Sequence, residues 1–264
     1  MFIINEYVRP SSVEEAYNLL KERKDAVVLG GGTYLRLGSK KIGLAVDLSE
    51  CGLKYIEKHE NEIHIGAMTS FRDIETSVLL EGTFNGILPY AVSHILGVQF
   101  RNMVTVGGSV NGRYGFSDFI TALLVLNTHV VLHRGGRMQL EEFLGRKAAE
   151  KDIIEKIIIM DDGRKAAFRT LRNSATDFAI LDAAASVLNG DWKITIGVRP
   201  AVAALSGKAM DYLSSQKIDD ESAAKAGEIA SEELAFGSDI RASGEYRKEI
   251  CKVLVKRAVL GVAQ

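Results

Sequence analysis

The chain has 264 residues, is 47% hydrophobic and carries a formal net charge of −1. That length and apolar content fit one large domain or two modest ones around a substantial core, and the near-zero charge offers no basic field for nucleic acid. No apolar run reaches the roughly 20 residues of a membrane-spanning helix, and Met1-Phe2-Ile3-Ile4-Asn5-Glu6 lacks the features of a secretory signal, so a cytoplasmic protein is expected. Two cysteines, Cys51 and Cys251, are too few for the four thiolates of an ordinary iron–sulfur cluster and read as free buried thiols.

In chain order, Pro10-Ser11-Ser12 with Glu15 has capping-box spacing, and Val13, Ala16, Leu19 and Leu20 form a helical apolar stripe ending near Lys24-Asp25. Ala26–Leu29 and Leu44–Leu48 read as strands, which makes the first 50 residues an α/β unit. Glu62–Ala67 alternates like a half-buried strand, and Thr69–Asp73 resembles a helix cap and first turn. Residues 87–97 read as a helix with Pro89 in its first turn, followed by a glycine loop, and Ile120–Leu126 reads as a buried helix. Thr128–Leu132, Ile153–Met160 and Lys165–Leu171 are strand candidates, separated by turns at Gly135-Gly136 and Asp162-Gly163. Residues 178–188 and 192–199 fit two more strands, although Ala183-Ala184-Ala185 leaves the former open to a helix. Helices are predicted over about 218–233 and 244–262.

Two glycine-rich patches carry the functional signal. The first is Val28-Leu29-Gly30-Gly31-Gly32-Thr33-Tyr34-Leu35, and the second is Arg101-Asn102-Met103-Val104-Thr105-Val106-Gly107-Gly108-Ser109-Val110. Glycine lets backbone N–H groups approach a ligand, successive N–H groups can form an anion site, and Thr or Ser adds a further donor. Two such patches point to a diphosphate gripped from both sides. The first has neither G-x-G-x-x-G nor Walker spacing. For a single cluster, a tight turn is the simpler explanation.

Read together, these segments resemble the FAD-binding subunit of the molybdenum hydroxylases, the xanthine dehydrogenase and carbon monoxide dehydrogenase flavoprotein family. Leu29-Gly30-Gly31-Gly32-Thr33-Tyr34-Leu35 is similar to the family's A-G-G-T-D-L, and Phe100 to Ser109 to its I-R-N-x-A-T-x-G-G-N. Ser117-Asp118-Phe119-Ile120-Thr121-Ala122-Leu123 resembles S-D-L-P-x-A-L, and Asp239 to Arg247 resembles D-x-R-A-S-x-x-Y-R. Tyr34 and Ser109 depart from the pattern, and Asn111 to Phe116 stands where the family has prolines.

The resemblance implies an α+β, PCMH-like FAD-binding fold: a small N-terminal α/β lobe over 1–55, a mixed-sheet lobe over 56–172, and a CO-dehydrogenase-flavoprotein-like C-terminal lobe over 173–264. It implies that Val28, Leu29, Gly30, Gly31, Gly32, Thr33, Tyr34 and Leu35 form one wall of the FAD pyrophosphate site. Thr105, Gly107, Gly108 and Ser109 form the other. Asp118 would bond a sugar hydroxyl, Ile154 would touch the flavin ring, and Arg169 would place a cation near the isoalloxazine.

No catalytic acid or base and no metal site is implied. Electrons would come from a molybdenum-cofactor subunit through a small iron–sulfur subunit and leave FAD for NAD⁺ or another acceptor. Two alternatives are a stand-alone FAD-dependent alcohol or aldehyde oxidoreductase and a scaffold that has lost FAD. His129 and His133 lack ligand-like company for zinc, and Arg101, Arg172, Arg241 and Arg247 read as surface charges or structural contacts.

Overall fold

The computed structural model describes residues 2–146 and 151–263. The chain begins β1 (Ile3–Val8), α1 (Val13–Glu22), β2 (Ala26–Leu29), β3 (Lys41–Asp47), β4 (Ile56–His59), β5 (Glu62–Gly66). Short helices follow: α2 (Phe71–Glu75), α3 (Val78–Glu81), α4 (Ile87–Ser93), α5 (Val98–Arg101), α6 (Val106–Gly112) and α7 (Asp118–Leu124). Next come β6 (Thr128–Leu132), β7 (Gly136–Gln139), α8 (Leu140–Gly145), β8 (Ile154–Met160), β9 (Lys165–Leu171), β10 (Leu181–Leu188), β11 (Asp191–Gly197) and β12 (Ala204–Leu205). The chain closes with α9 (Gly207–Ser214), α10 (Asp220–Glu233) and α11 (Gly244–Ala263). Among the described residues, no helix is long and apolar enough to cross a membrane.

Two compact units interleave in sequence. The first comprises Met1–Asp73, Val98–Gly112 and Thr128–Met160. Its parallel sheet has the order β1-β3-β2, and central β3 buries Ile42 to Val46 in one run, as a parallel strand covered on both faces does. α1 presents Ala16 and Leu20 to that sheet. Ser12 caps it through its hydroxyl, which accepts the Glu15 N–H at 3.2 Å. The reciprocal arm of the capping box lands one residue early, because the Glu15 carboxylate takes the N–H of Ser11 at 2.9 Å. A second, antiparallel sheet has the order β4-β5-β8-β6-β7, with a register shift between Val131 and Leu132 opposite the start of β8. α6 packs on β5 and β8.

The second unit comprises Ile74–Gly97, Arg113–Asn127 and Asp161–Gln264. Its antiparallel sheet has the order β12-β11-β10-β9. α4 and α7 pack on this sheet through Phe168 and Asp182, whereas α9, α10 and α11 share a core with Ala167, Ala183, Ala185, Ile194 and Ile196. The alanine run that left residues 178–188 open is therefore a strand, and its small side chains let the helices sit close. α10 and α11 approach closely too: a Cβ on Gly227 would fall 2.4 Å from the Lys252 carbonyl. Each Ile, Leu or Val fully buried in this core contributes about 1.5–3 kcal/mol.

Boundaries shift where backbone geometry intervenes. The helix predicted over 87–97 stops at Ser93, ahead of Leu96 with φ +44°. The buried helix predicted from Ile120 starts at Asp118, behind the cap Ser117. The largest difference is the second glycine patch. It is expected as a loop, yet Gly107-Gly108-Ser109 forms the first turns of α6.

Candidate cofactor site

β2 delivers Leu29 into the first glycine turn, and the three glycines serve different ends. Only Gly32 adopts the left-handed conformation, at φ +66°. Gly31 is required by proximity: a Cβ there would lie 1.4 Å from the Met103 carbonyl oxygen. A Cβ on Gly30 would lie 2.7 Å from Thr105 Oγ1. The absent side chains thus let the first patch rest directly on the second, and the two expected walls meet within the first unit.

The second patch is fixed by its own backbone bonds. The Phe71 N–H donates to the Val104 carbonyl at 2.9 Å, the Val106 N–H to Thr69 at 2.9 Å and the Gly107 N–H to Ala67 at 2.8 Å. Thr105 caps α6: its hydroxyl accepts the Gly108 N–H at 3.2 Å, and its carbonyl accepts the Ser109 N–H at 2.9 Å. Every N–H from Val106 to Ser109 is therefore taken by the protein itself. This patch offers a ligand hydroxyl groups, from Thr105 and Ser109, but no main-chain nest.

The first patch differs. Among the described residues, no protein acceptor takes the N–H of Gly31, Gly32 or Thr33. Three consecutive donors with the Thr33, Thr105 and Ser109 hydroxyls form a set that suits phosphate oxygens, so the residues present fit the diphosphate of FAD. Ile154, the buried first residue of β8, belongs to the same unit.

Asp118 and Arg169 belong to the second unit. Asp118 opens α7 and is 3% exposed, with its Oδ2 accepting from an Nη2 of Arg172. Arg172 also donates Nη1 to the Asp177 carbonyl at 2.7 Å. Arg169 lies on the other face of the sheet. It pairs in register with Ala183, and a Cβ on Gly261 of α11 would meet its Nη2 at 2.4 Å. Thr170, the next residue, pairs instead with Asp182, whose carboxyl accepts the Thr121 hydroxyl of α7 at 3.0 Å. The two sequence-predicted residues thus do not converge, and the cation beside Asp118 is Arg172.

Several arginines read as surface charges are not on the surface. Arg101 is buried and the Arg172 side chain is 8% exposed. Arg247 is fully buried; it donates to the carbonyls of Ile180 at 2.9 Å, Gly237 at 2.7 Å and Ala242 at 2.9 Å, and to Asp239 at 2.6 Å. Burial works against ionisation of Asp239, but Arg247 outweighs it and holds the carboxyl down at about 2. Cys51 and Cys251 are both free, and burial pushes the Cys251 thiol up to about 12. Asp182, which sequence reasoning passed over, is fully buried. Its only outward signal is an acid interrupting an apolar run.

Residues 3–159 match the family described as the FAD binding domain in molybdopterin dehydrogenase, and residues 166–262 match the CO dehydrogenase flavoprotein C-terminal domain. The glyceraldehyde dehydrogenase medium chain of Sulfolobus acidocaldarius is 26% identical over 278 residues, covering 97% of this chain and 98% of its own. The nicotinate dehydrogenase FAD-subunit of Eubacterium barkeri is 32% identical over 172 residues, 59% of this chain and 58% of its own. Among solved structures, the cyanide-inactivated Cu,Mo-CO dehydrogenase superposes with a TM-score of 0.89 at 25% identity, covering 99% of this chain and 98% of that one. The chain belongs to the family of FAD-binding domains in molybdopterin dehydrogenases: it is an α+β flavoprotein with a CO dehydrogenase flavoprotein C-terminal domain, and an FAD-binding oxidoreductase subunit.

Proposed function

We propose that this chain is the electron-transfer subunit of a cytoplasmic molybdenum hydroxylase complex, taking electrons from a small iron–sulfur subunit and passing them to NAD⁺ or another acceptor. The observation that carries the reading is the row of uncommitted N–H donors at Gly31, Gly32 and Thr33, held against Met103 and Thr105. Two free cysteines cannot build a cluster, so a cluster must come from a partner. Relatives named as medium chains or medium subunits, such as that of nicotine 6-hydroxylase from Paenarthrobacter nicotinovorans, support the assembly.

Bound FAD supplies the redox chemistry, and the protein supplies position and electrostatics. Residues 28–35 hold the diphosphate, with Thr105, Gly107, Gly108 and Ser109 completing the wall through hydroxyls and close backbone. Ile154 packs against the ring and Asp118 takes a sugar hydroxyl. We assign residues 1–55 and 56–172 to the FAD lobes and 173–264 to the third lobe.

Purification from the native source tests the reading. The protein should be yellow, with a flavin absorption spectrum, and should bring with it a molybdenum-containing subunit and an iron–sulfur subunit. A colourless chain that fails to take up added FAD refutes the site. A flavin-loaded chain that is found alone and is reduced by simple alcohols refutes the complex.

A further inference from the structure

The sheet face under α7 carries a buried polar layer that holds two carboxyl groups and one guanidinium. Asp182 on β10 sits between its register partners Thr170 and Gly197 and is 0% exposed. Its Oδ1 accepts the Thr121 hydroxyl at 3.0 Å, whereas its Oδ2 meets no donor among the described residues. Arg172 fills Oδ2 of Asp118, and Oδ1 of Asp118 likewise meets none. Asp118 and Thr121 lie three residues apart on one face of α7, and the Thr121 hydroxyl bonds Asp182, so the two carboxyl groups share this layer.

Two carboxylates and one guanidinium would leave an uncompensated negative charge inside the protein, a state that buried groups avoid by neutralising. Among the described residues, Arg172 is the cation bonded to this pair. Lys193 of β11 donates to the Leu126 carbonyl at 3.4 Å, and Arg164 is held by Ser186 and Asp191. On the opposite face, Arg247 of α11 is committed to Asp239 and three carbonyls, and Arg169 to the Phe168 carbonyl at 2.8 Å.

We propose that Asp182 is a protonated carboxylic acid that donates its hydrogen to Oδ1 of Asp118, which makes it a positioning residue for the Asp118 carboxylate. One proton fills both unmatched oxygens and leaves a balanced pair, anionic Asp118 against cationic Arg172. The proton belongs on Asp182 because Arg172 bonds Asp118 directly, whereas Asp182 is bonded by the neutral Thr121 hydroxyl. Burial, and next the charge of Asp118, push the Asp182 carboxyl well above the usual carboxylate range. Glycine at position 197 is part of the device: a Cβ there would fall 1.9 Å from Thr121 Oγ1 and 2.3 Å from Asp182 Oδ1. The consequence for the cofactor rests on the sugar contact proposed for Asp118, since a carboxylate pinned from behind keeps one orientation toward a ligand hydroxyl.

The test uses the full chain without FAD. With carbon-13 in its aspartate carboxyls, the wild type should show one protonated resonance at about pH 7 that Asp182→Asn lacks. Asn keeps the shape and a donor that does not titrate. The unfolded chain releases the Asp182 proton near pH 4 while the folded chain keeps it, so wild-type stability falls with rising pH above that point. Relative to Asp182→Asn, the folding equilibrium should weaken by up to about tenfold per pH unit. A wild-type spectrum with no protonated aspartate at about pH 7 overturns the proposal. So does a wild-type-to-variant offset that is flat between about pH 5 and pH 8, or one that responds to sodium or potassium at fixed ionic strength, since a cation would then fill the place of the proton. FAD affinity of Asp118→Asn tests the sugar contact separately, so either idea can fail alone.

Discussion

Replacing Gly31 by alanine tests whether the first glycine patch exists to let two chain segments touch. Its φ is not in the left-handed region, so an added methyl brings no backbone strain of its own. The obstacle is spatial: the new Cβ would sit 1.4 Å from the Met103 carbonyl oxygen and 3.4 Å from the Val104 nitrogen, both backbone atoms. No rotamer change relieves that overlap, and separation by close to 2 Å is needed to restore ordinary contact. Overpacking by one methylene costs about 1–3 kcal/mol, and an immovable backbone obstacle belongs at or above the upper end, about 3 kcal/mol. At about 2–4 °C per kcal/mol, the melting temperature should drop by about 6–12 °C. Gly30→Ala meets a side chain, Thr105 Oγ1 at 2.7 Å, and should cost less. Gly32→Ala meets only Leu29 Cδ1 at 3.3 Å and should cost the left-handed penalty, about 1–2 kcal/mol. Urea unfolding and FAD titration of the three variants give the order. If the patches part instead of straining, Gly31→Ala should lose FAD affinity even where it keeps stability. A Gly31→Ala protein with wild-type melting and wild-type FAD affinity would refute the packing argument.

Arg247→Met removes the guanidinium bonded to three carbonyls and Asp239 and should destabilise the second unit by about 3–5 kcal/mol, read by thermal unfolding; a loss under about 1 kcal/mol would contradict its role. Arg172→Ala, which strands the Asp118 carboxylate without its counter-charge, should cost about as much, and a near-neutral result would count against the buried pair. His133 lies between Glu155 at 2.7 Å and Glu14 at 3.0 Å, and although burial opposes its charge, the two glutamates raise its pKa. Its stabilisation is present below the ordinary histidine range and is lost as pH rises through the raised folded value. His133→Gln should therefore flatten the urea midpoint profile above about pH 6.5, and an unchanged slope would remove the histidine from the account.

What the sequence disclosed and what it hid divide along a physical line. Periodicity and local chemistry were readable: Thr128–Leu132 and Lys165–Leu171 form strands with the expected limits, and the helices predicted near 218 and 244 begin at Asp220 and Gly244. The glycine patches were readable as places of close approach, but not as what approaches. Gly31 makes room for the Met103 carbonyl, and Gly107 for Ala67, whose Cβ would lie 2.7 Å from an added one. Two adjacent glycines argue against a helix by propensity, yet α6 forms there because Thr69, Ala67 and Thr105 accept the four N–H groups that its first turn leaves over. Thr105 is local, but Ala67 and Thr69 lie some 40 residues upstream, beyond the reach of local pattern. Arg169 and Arg172 show the same limit. Three positions apart, they stand at opposite ends of a parity rule, so one faces α11 while the other reaches the face of Asp118. Only the pairing register of β9 with β10 decides which does which. Charge burial is the least readable of all, because an arginine or aspartate enters the core only when its partner is already there. For Asp182 that partner is Asp118, 64 residues earlier by their numbers, and the missing donor between them is a proton that no residue letter records.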